Sequence, residues 1–174
     1  MNMQETIKSW NKKPKELVEF LTKSILKDSK LFSQLIDVLK NGNDVDKGTC
    51  ADVMKHVSEQ KPEIFLPYID ILVEYINYKA PRVKWGVPEA LGNIAKKHPT
   101  EAEKAVPNLL KNTIENKDNT TVIRWCAAYG LSEIAKSTRN KDLIKRIEDI
   151  SKKEKNNGVK NVYLKALKAI DKNK

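Results

Sequence analysis

Residues Val122–Ala135 read VIRWCAAYGLSEIA, and forty residues earlier Arg82–Ala95 read RVKWGVPEALGNIA. Setting Ala95 against Ala135 pairs Val83 with Ile123, Lys84 with Arg124, Trp85 with Trp125, Leu91 with Leu131 and Ile94 with Ile134, without a gap. A third copy follows at Val159, Lys160, Leu167 and Ile170, and a weaker one precedes at Lys47, Cys50, Val53, Met54 and Val57. A period of about 40 residues belongs to stacked helical pairs, in which no unit buries its apolar face alone. The 174 residues are therefore expected to form one domain held by contacts between neighbouring units.

Outward from these copies the chain divides into similar units. Met3, Ile7 and Trp10 suggest a short helix, and Pro14 opens another whose apolar stripe is Leu17, Leu21, Ser24 and Ile25. Leu31, Leu35, Val38 and Leu39 form the next stripe, which Asn41-Gly42 ends; Asp44 is expected to cap the helix through Val57. Pro62 begins a pair whose first helix carries Phe65, Ile69, Leu72 and Ile76 and whose second opens at Pro81. Thr100 and Glu103 have the spacing of a capping box for a helix through Leu110 and Ile114, and Asp118–Thr120 form the turn before the second quoted copy. A last pair carries Leu143, Ile147 and Ile150, then Tyr163, Leu167 and Ile170, separated by Asn156-Asn157-Gly158. The expected divisions of the single domain 1–174 are an N-terminal cap, 1–27, and repeats at about 28–60, 61–98, 99–138 and 139–174.

With these residues placed, the chain resembles the HEAT-repeat family. HEAT repeats carry a proline in the first helix, an aspartate in the turn and a Val-Arg pair early in the second helix. Pro107, Asp118 and Ile123-Arg124 match that pattern throughout. In the unit before, Pro67 and Val83-Lys84 match, but Tyr78 stands where the aspartate would fall; the last unit has Glu154 and Val159-Lys160, and the first only Lys47. The resemblance implies an all-α fold, a right-handed α-α superhelix of the HEAT/armadillo-like solenoid type, with about four helical pairs and roughly nine helices. It implies that Pro67 and Pro107 bend their helices by removing an amide donor and clashing with the carbonyl four residues back. It also implies a structural ladder between repeats made by Lys84, Asp118, Arg124, Glu154 and Lys160.

Charge and composition narrow the function classes. The formal net charge is +10, but lysine supplies 29 of the 33 basic residues, and the excess gathers after Asn140, where 11 basic residues face 5 acidic ones. Arginine, which offers the planar fork that phosphate and base edges favour, occurs only at Arg82, Arg124, Arg139 and Arg146. Cys50 and Cys126 fall inside apolar helical patterns about two repeats apart, beyond disulfide reach, and are expected to be reduced core thiols. There is no secretory-type leader and no apolar run near the roughly 18 residues of a membrane span, so a cytoplasmic location with no membrane partner is expected. His56 and His98 stand alone, the paired His-Glu motifs of HEAT-type deoxyhypusine hydroxylases are missing, and none of the six glycines belongs to a phosphate-cradling loop. No catalytic residue, metal or cofactor is expected.

Helical projection leaves one face unexplained. With Val83, Val87, Ala90, Leu91 and Ile94 inward, Trp85, Glu89 and Lys96 point outward; with Ile123, Ala127, Leu131 and Ile134 inward, Trp125, Tyr129 and Lys136 do the same. In HEAT-like solenoids the second helices line the concave side, so the resemblance puts two tryptophans on neighbouring rungs of that surface, with Gly48 and Asn161 on the outer repeats and Asp52 and Lys165 flanking them. Tryptophan and tyrosine offer rigid apolar area with a polar tip, the composition of binding hot spots. The leading expectation is a monomeric, non-catalytic adaptor or scaffold that binds a protein or peptide segment through Trp85, Glu89, Lys96, Trp125, Tyr129 and Lys136. Packing of the tryptophans across the repeat joint is the competing account. The alternative function is nucleic-acid binding through the Lys-rich C-terminal repeat. A DNA glycosylase of the HEAT-like alkylpurine type stands third; its Trp-Trp-Asp cluster is missing, and Glu89, one turn after Trp85, is the nearest carboxylate. Pro88 is expected to free the Lys84 carbonyl and kink its helix.

Overall fold

Proline and asparagine set the boundaries of most helices. In the computed structural model, which describes residues 1–172, all regular structure is helical. The last two residues of the expected fourth repeat, 173 and 174, lie outside the described part. The elements are α1 (Met3–Ser9), α2 (Pro14–Lys27), α3 (Leu31–Asn41) and α4 (Asp44–Gln60), then a 3-10 stretch (Pro62–Tyr68) running into α5 (Ile69–Tyr75). After α6 (Pro81–Ala95) come α7 (Pro99–Ala102), a 3-10 turn (Glu103–Ala105) and α8 (Val106–Leu110), followed by α9 (Thr121–Thr138), α10 (Lys141–Lys153) and α11 (Asn157–Lys172).

The ends differ from expectation where local hydrogen bonding decides. Asn43, not Asp44, caps α4, its side chain accepting from the Asp46 amide at 2.9 Å. Thr100 caps nothing: Pro99 already opens α7, and the preceding His98 makes no side-chain cap bond. Thr120 caps α9 and Asn140 caps α10 as their oxygens accept from amides in the first turn. Pro67 and Pro107 act more strongly than a bend. Pro67 sits inside the 3-10 stretch, and Pro107 follows the 3-10 turn that separates α7 from α8, so each first helix is broken in its backbone pattern. By contrast α6 runs through Pro88, which is buried, its carbonyl 3.0 Å from where a side chain on Gly130 would begin.

Taking 62–75 and 99–110 as one stretch each, the described residues hold ten helical stretches, one more than about nine, and the short α1 suggested by Met3 and Ile7 is among them. Trp10–Lys13 separates it from α2; α1 packs on α3 and α2 on α4, so residues 1–27 continue both layers of the fold. One layer is α2, α4, α6, α9 and α11. Its register is parallel: Gly48 meets Arg82, Ala51 meets Gly86, Lys55 meets Glu89 and Ser58 meets Asn93; then Glu89 meets Cys126 and Gly92 meets Tyr129. The second layer is built from the shorter helices. Phe32 of α3 packs on Phe65 and Tyr68, the Asn77 amide donates to the Asn108 carbonyl at 3.0 Å, and Arg146 of α10 pairs with Glu115 at 2.7 Å.

The core lies between the layers. Leu21, Leu39, Met54, Phe65, Leu72, Leu91, Leu131, Ile134, Ile147 and Ile170 are buried, as are the free thiols Cys50 and Cys126. Tyr163 is also fully buried, and its hydroxyl has no partner among the described residues. Burial pushes that phenol above its usual range. An unpaired buried hydroxyl is a standing cost, so Tyr163→Phe is expected to stabilise the fold by about 1 kcal/mol and raise Tm by about 3 °C in thermal melting. A lower Tm for the phenylalanine variant would mean that the hydroxyl is satisfied.

Candidate interaction face

The row expected to be open divides into a stitched half and an exposed half. The stitched half begins at Tyr129, whose ring covers Gly92 closely enough that a Cβ there would lie 2.8 Å from it. Its hydroxyl donates to Asn93 Oδ1 at 2.6 Å and accepts from Lys96 Nζ at 3.0 Å, and the same ammonium lies 5.5 Å from the ring centroid. Donating to the Tyr129 hydroxyl favours the charged ammonium and raises the Lys96 pKa above the usual lysine value. Asn93 in turn donates to Ser58 Oγ on α4, so one polar chain crosses three helices. Glu89 is committed as well: Lys55 Nζ is 2.9 Å from its carboxylate, and the Cys126 thiol donates to it at 3.5 Å. Lys136 pairs within its own helix with Glu133 at 2.5 Å. Of the residues expected as a binding surface, Glu89, Lys96 and Tyr129 thus also join neighbouring helices, while Lys136 is paired within α9.

Among the described residues the expected ladder forms an ion pair at one rung, between Arg124 and Glu154. Arg124 Nε lies 2.9 Å from Glu154 Oε2, and Nη2 lies 3.3 Å from Oε1; the glutamate side chain is 1% exposed. Asp118 is exposed and, among the described residues, pairs with neither Lys84 nor Arg124. The adjacent Asn119 does the turn's work, with its amide donating to the Lys111 and Thr113 carbonyls and its own carbonyl accepting from Arg124 Nη1 at 2.8 Å. An amide can donate to the orphaned carbonyls of the turn, which a carboxylate cannot. Lys84 and Lys160 are half-buried and make no ion pair among the described residues. At the first rung Tyr78 replaces the missing aspartate in a different way. Buried Lys47 donates to the Leu39 and Lys40 carbonyls at 2.6 and 2.7 Å and sits 5.4 Å from the Tyr75 and Tyr78 ring centroids, a cation-π arrangement at the end of α3.

The exposed half lies toward the N-terminal ends of α4, α6 and α9. Trp125 is 38% exposed, Val122 49% and Val45 70%. The register that sets Glu89 beside Cys126 places Val122 level with Trp85 on the neighbouring helix. Trp85 is half-buried, and its indole N–H is covered without a partner among the described residues. A cleft of about 460 Å³ opens beside it, lined by Val45, Ala80, Pro81 and Arg82 among others. The two tryptophans are not a matched pair: the Trp125 ring lies parallel to Tyr129 at 6.0 Å, with 4° between planes. Gly48 lies under the Arg82 side chain, Asp52 pairs with Arg82 at 2.6 Å, and Asn161 and Lys165 are exposed. Val45 and Val122 were missed because a single-helix projection ranks first-turn valines as ordinary surface. Aligning Val45, Arg82 and Val122 across the repeats would have revealed a row.

Arg82 pairs with Asp52, Arg124 with Glu154 and Arg146 with Glu115, while Arg139 donates to the Ile170 carbonyl, so every arginine is engaged in a contact within the fold. Burial raises the pKa of both thiols, and the Glu89 carboxylate adds to the effect at Cys126. Among the described residues, no three His, Cys, Asp or Glu side chains gather as metal ligands, and no helix is long and apolar enough to cross a membrane. No protein-family model matches the chain, and comparison with curated proteins gives no significant match.

Proposed function

We propose that this chain is a HEAT-like α-α solenoid, a right-handed superhelix that serves as a non-catalytic adaptor for a protein or peptide segment. The observation that carries the reading is the apolar strip of Val45, Trp85, Val122 and Trp125 across adjacent parallel helices. Three of these four side chains are exposed large hydrophobics, and a cleft adjoins the fourth. Exposed apolar side chains are ordinary when scattered, but a row of them rimmed by Asp44, Lys79 and Arg82 has the make-up of an interface core. The parallel register, the pairing of VIRWCAAYGLSEIA with RVKWGVPEALGNIA, and the prolines in the first helices support the solenoid reading.

A cytoplasmic monomer is part of the proposal. α2 and its N-cap expose Lys13, Lys23 and Lys27 beside Glu16 and Glu19, and α11 exposes Lys165 and Lys168, so the two end helices both carry more basic than acidic side chains, which disfavours stacking one on the other. Nucleic-acid binding is the less favoured reading, because the arginines are occupied and the strip is apolar. The discriminating variant is Val122→Ser/Trp125→Ser. Both side chains are exposed, so Tm should stay within about 2 °C of the unaltered chain while capture of the partner from cell extract is lost. A large drop in Tm would place these residues in the core and remove the proposal.

A further inference from the structure

Among the described residues no helix lies against the edge of α11 that faces away from α9. On each preceding helix the residues at this edge are covered by the next one: Ala51 by α6, Pro88 and Gly92 by α9, and Ala128 and Ser132, all buried, on the side of α9 toward α11. The repeat alignment puts Leu164 where α9 has Ala128, and Leu164 is 44% exposed, with Leu167 half-buried beneath it. Lys160, Lys165 and Lys168 surround Leu164, and none of the three takes part in an ion pair among the described residues. Asp171 in the last turn is the sole acid on this helix.

We propose that this edge docks an acidic amphipathic helix of a partner protein, which continues the layer by one member. Leucines of the incoming helix cover Leu164 and Leu167 while its carboxylates lie against Lys160, Lys165 and Lys168, the arrangement of an apolar seam with charged flanks. A second copy of this chain offers no acidic face at the other end of the layer: on α2 and its N-cap the exposed Phe20 stands among Lys13, Lys23 and Lys27 as well as Glu16 and Glu19. A phosphate backbone would pair with the lysines and leave the leucines uncovered. This docking edge is separate from the Val45–Trp125 strip and stands whether or not that strip has a partner.

The probe is a fluorescein-labelled 18-residue helical peptide of leucine, alanine and glutamate, with leucines spaced three and four apart and glutamates beside them. It is titrated by anisotropy into the full chain, with circular dichroism to check that each variant is folded. Lys160→Glu/Lys168→Glu should weaken binding about tenfold, and Leu164→Ser about fivefold. A control reversal at Lys40 and Lys97, away from this edge, should change it less than about twofold. A peptide with lysine in place of glutamate should recover binding to the Lys160→Glu/Lys168→Glu chain. Absence of binding at about 100 µM peptide would overturn the proposal, as would equal binding by all variants. So would tighter binding of an oligothymidylate that depends on the lysines but not on Leu164.

Discussion

Replacing Glu154 with alanine should destabilise the chain by about 3 kcal/mol and lower Tm by about 10 °C. The carboxylate is 1% exposed and accepts from two nitrogens of Arg124 and from the Asn156 amide at 2.9 Å, so it joins α9 to the start of α11. Arg124 is itself only 18% exposed in its side chain, and without Glu154 it keeps only the Asn119 carbonyl. Losing one member of a buried pair strands the other charge away from water, which is why the cost exceeds that of a surface bridge. The double substitution Arg124→Met/Glu154→Leu should cost clearly less than Glu154→Ala, since no charge is then left unpaired. Thermal melting of the two variants decides the matter. Equal losses, or a shift under about 2 °C for Glu154→Ala, would show that the pair is a surface contact in effect.

The second large effect is expected at Gly86. A Cβ there would lie 2.6 Å from the carbonyl carbon of Ala51 and 2.9 Å from its Cβ, so the clash is mainly with backbone that no rotamer change can move aside. Alanine in mid-helix ordinarily gains about 1 kcal/mol over glycine. Here α4 and α6 must separate, and overpacking of this kind should leave a net loss of about 2–3 kcal/mol, or about 8 °C in Tm. Gly158 provides the contrast: its Cβ would approach only the Asn156 side-chain oxygen, at 3.2 Å, and Gly158→Ala should shift Tm by under about 2 °C. If Gly86→Ala were as mild as Gly158→Ala, the close approach of α4 and α6 would be wrong.

The helices were legible in the sequence because the two quoted copies share their inward aliphatic positions, and Val83, Val87, Leu91, Ile94, Leu131 and Ile134 are all buried. What lies between helices was less legible. Projection of one helix places Glu89, Tyr129 and Lys96 outward but is blind to its neighbour, so it could not see Lys55 reaching Glu89 or Tyr129 closing over Gly92. The same limit hid the exchange at the turn, where Asn119 rather than Asp118 reaches the loop carbonyls, and the use of Tyr78 as a π-partner of Lys47. Trp85 and Trp125 occupy equivalent positions and still differ in exposure. Trp85 sits within the cleft formed with Val45 and Pro81, whereas Trp125 stacks on Tyr129 and keeps its outer face open.

The difference between stitched and open halves gives the proposed function its most direct test. A photo-reactive phenylalanine analogue at Val122, and another at Lys145 on α10, can be activated in cell extract and the adducts identified by mass spectrometry. The proposed adaptor should yield a discrete protein adduct from position 122 that disappears when Trp125 is replaced by serine, and none of that species from position 145. Equal yields from both positions, or an adduct at 122 that is indifferent to Trp125→Ser, would contradict binding at the Val45–Trp85–Val122–Trp125 strip.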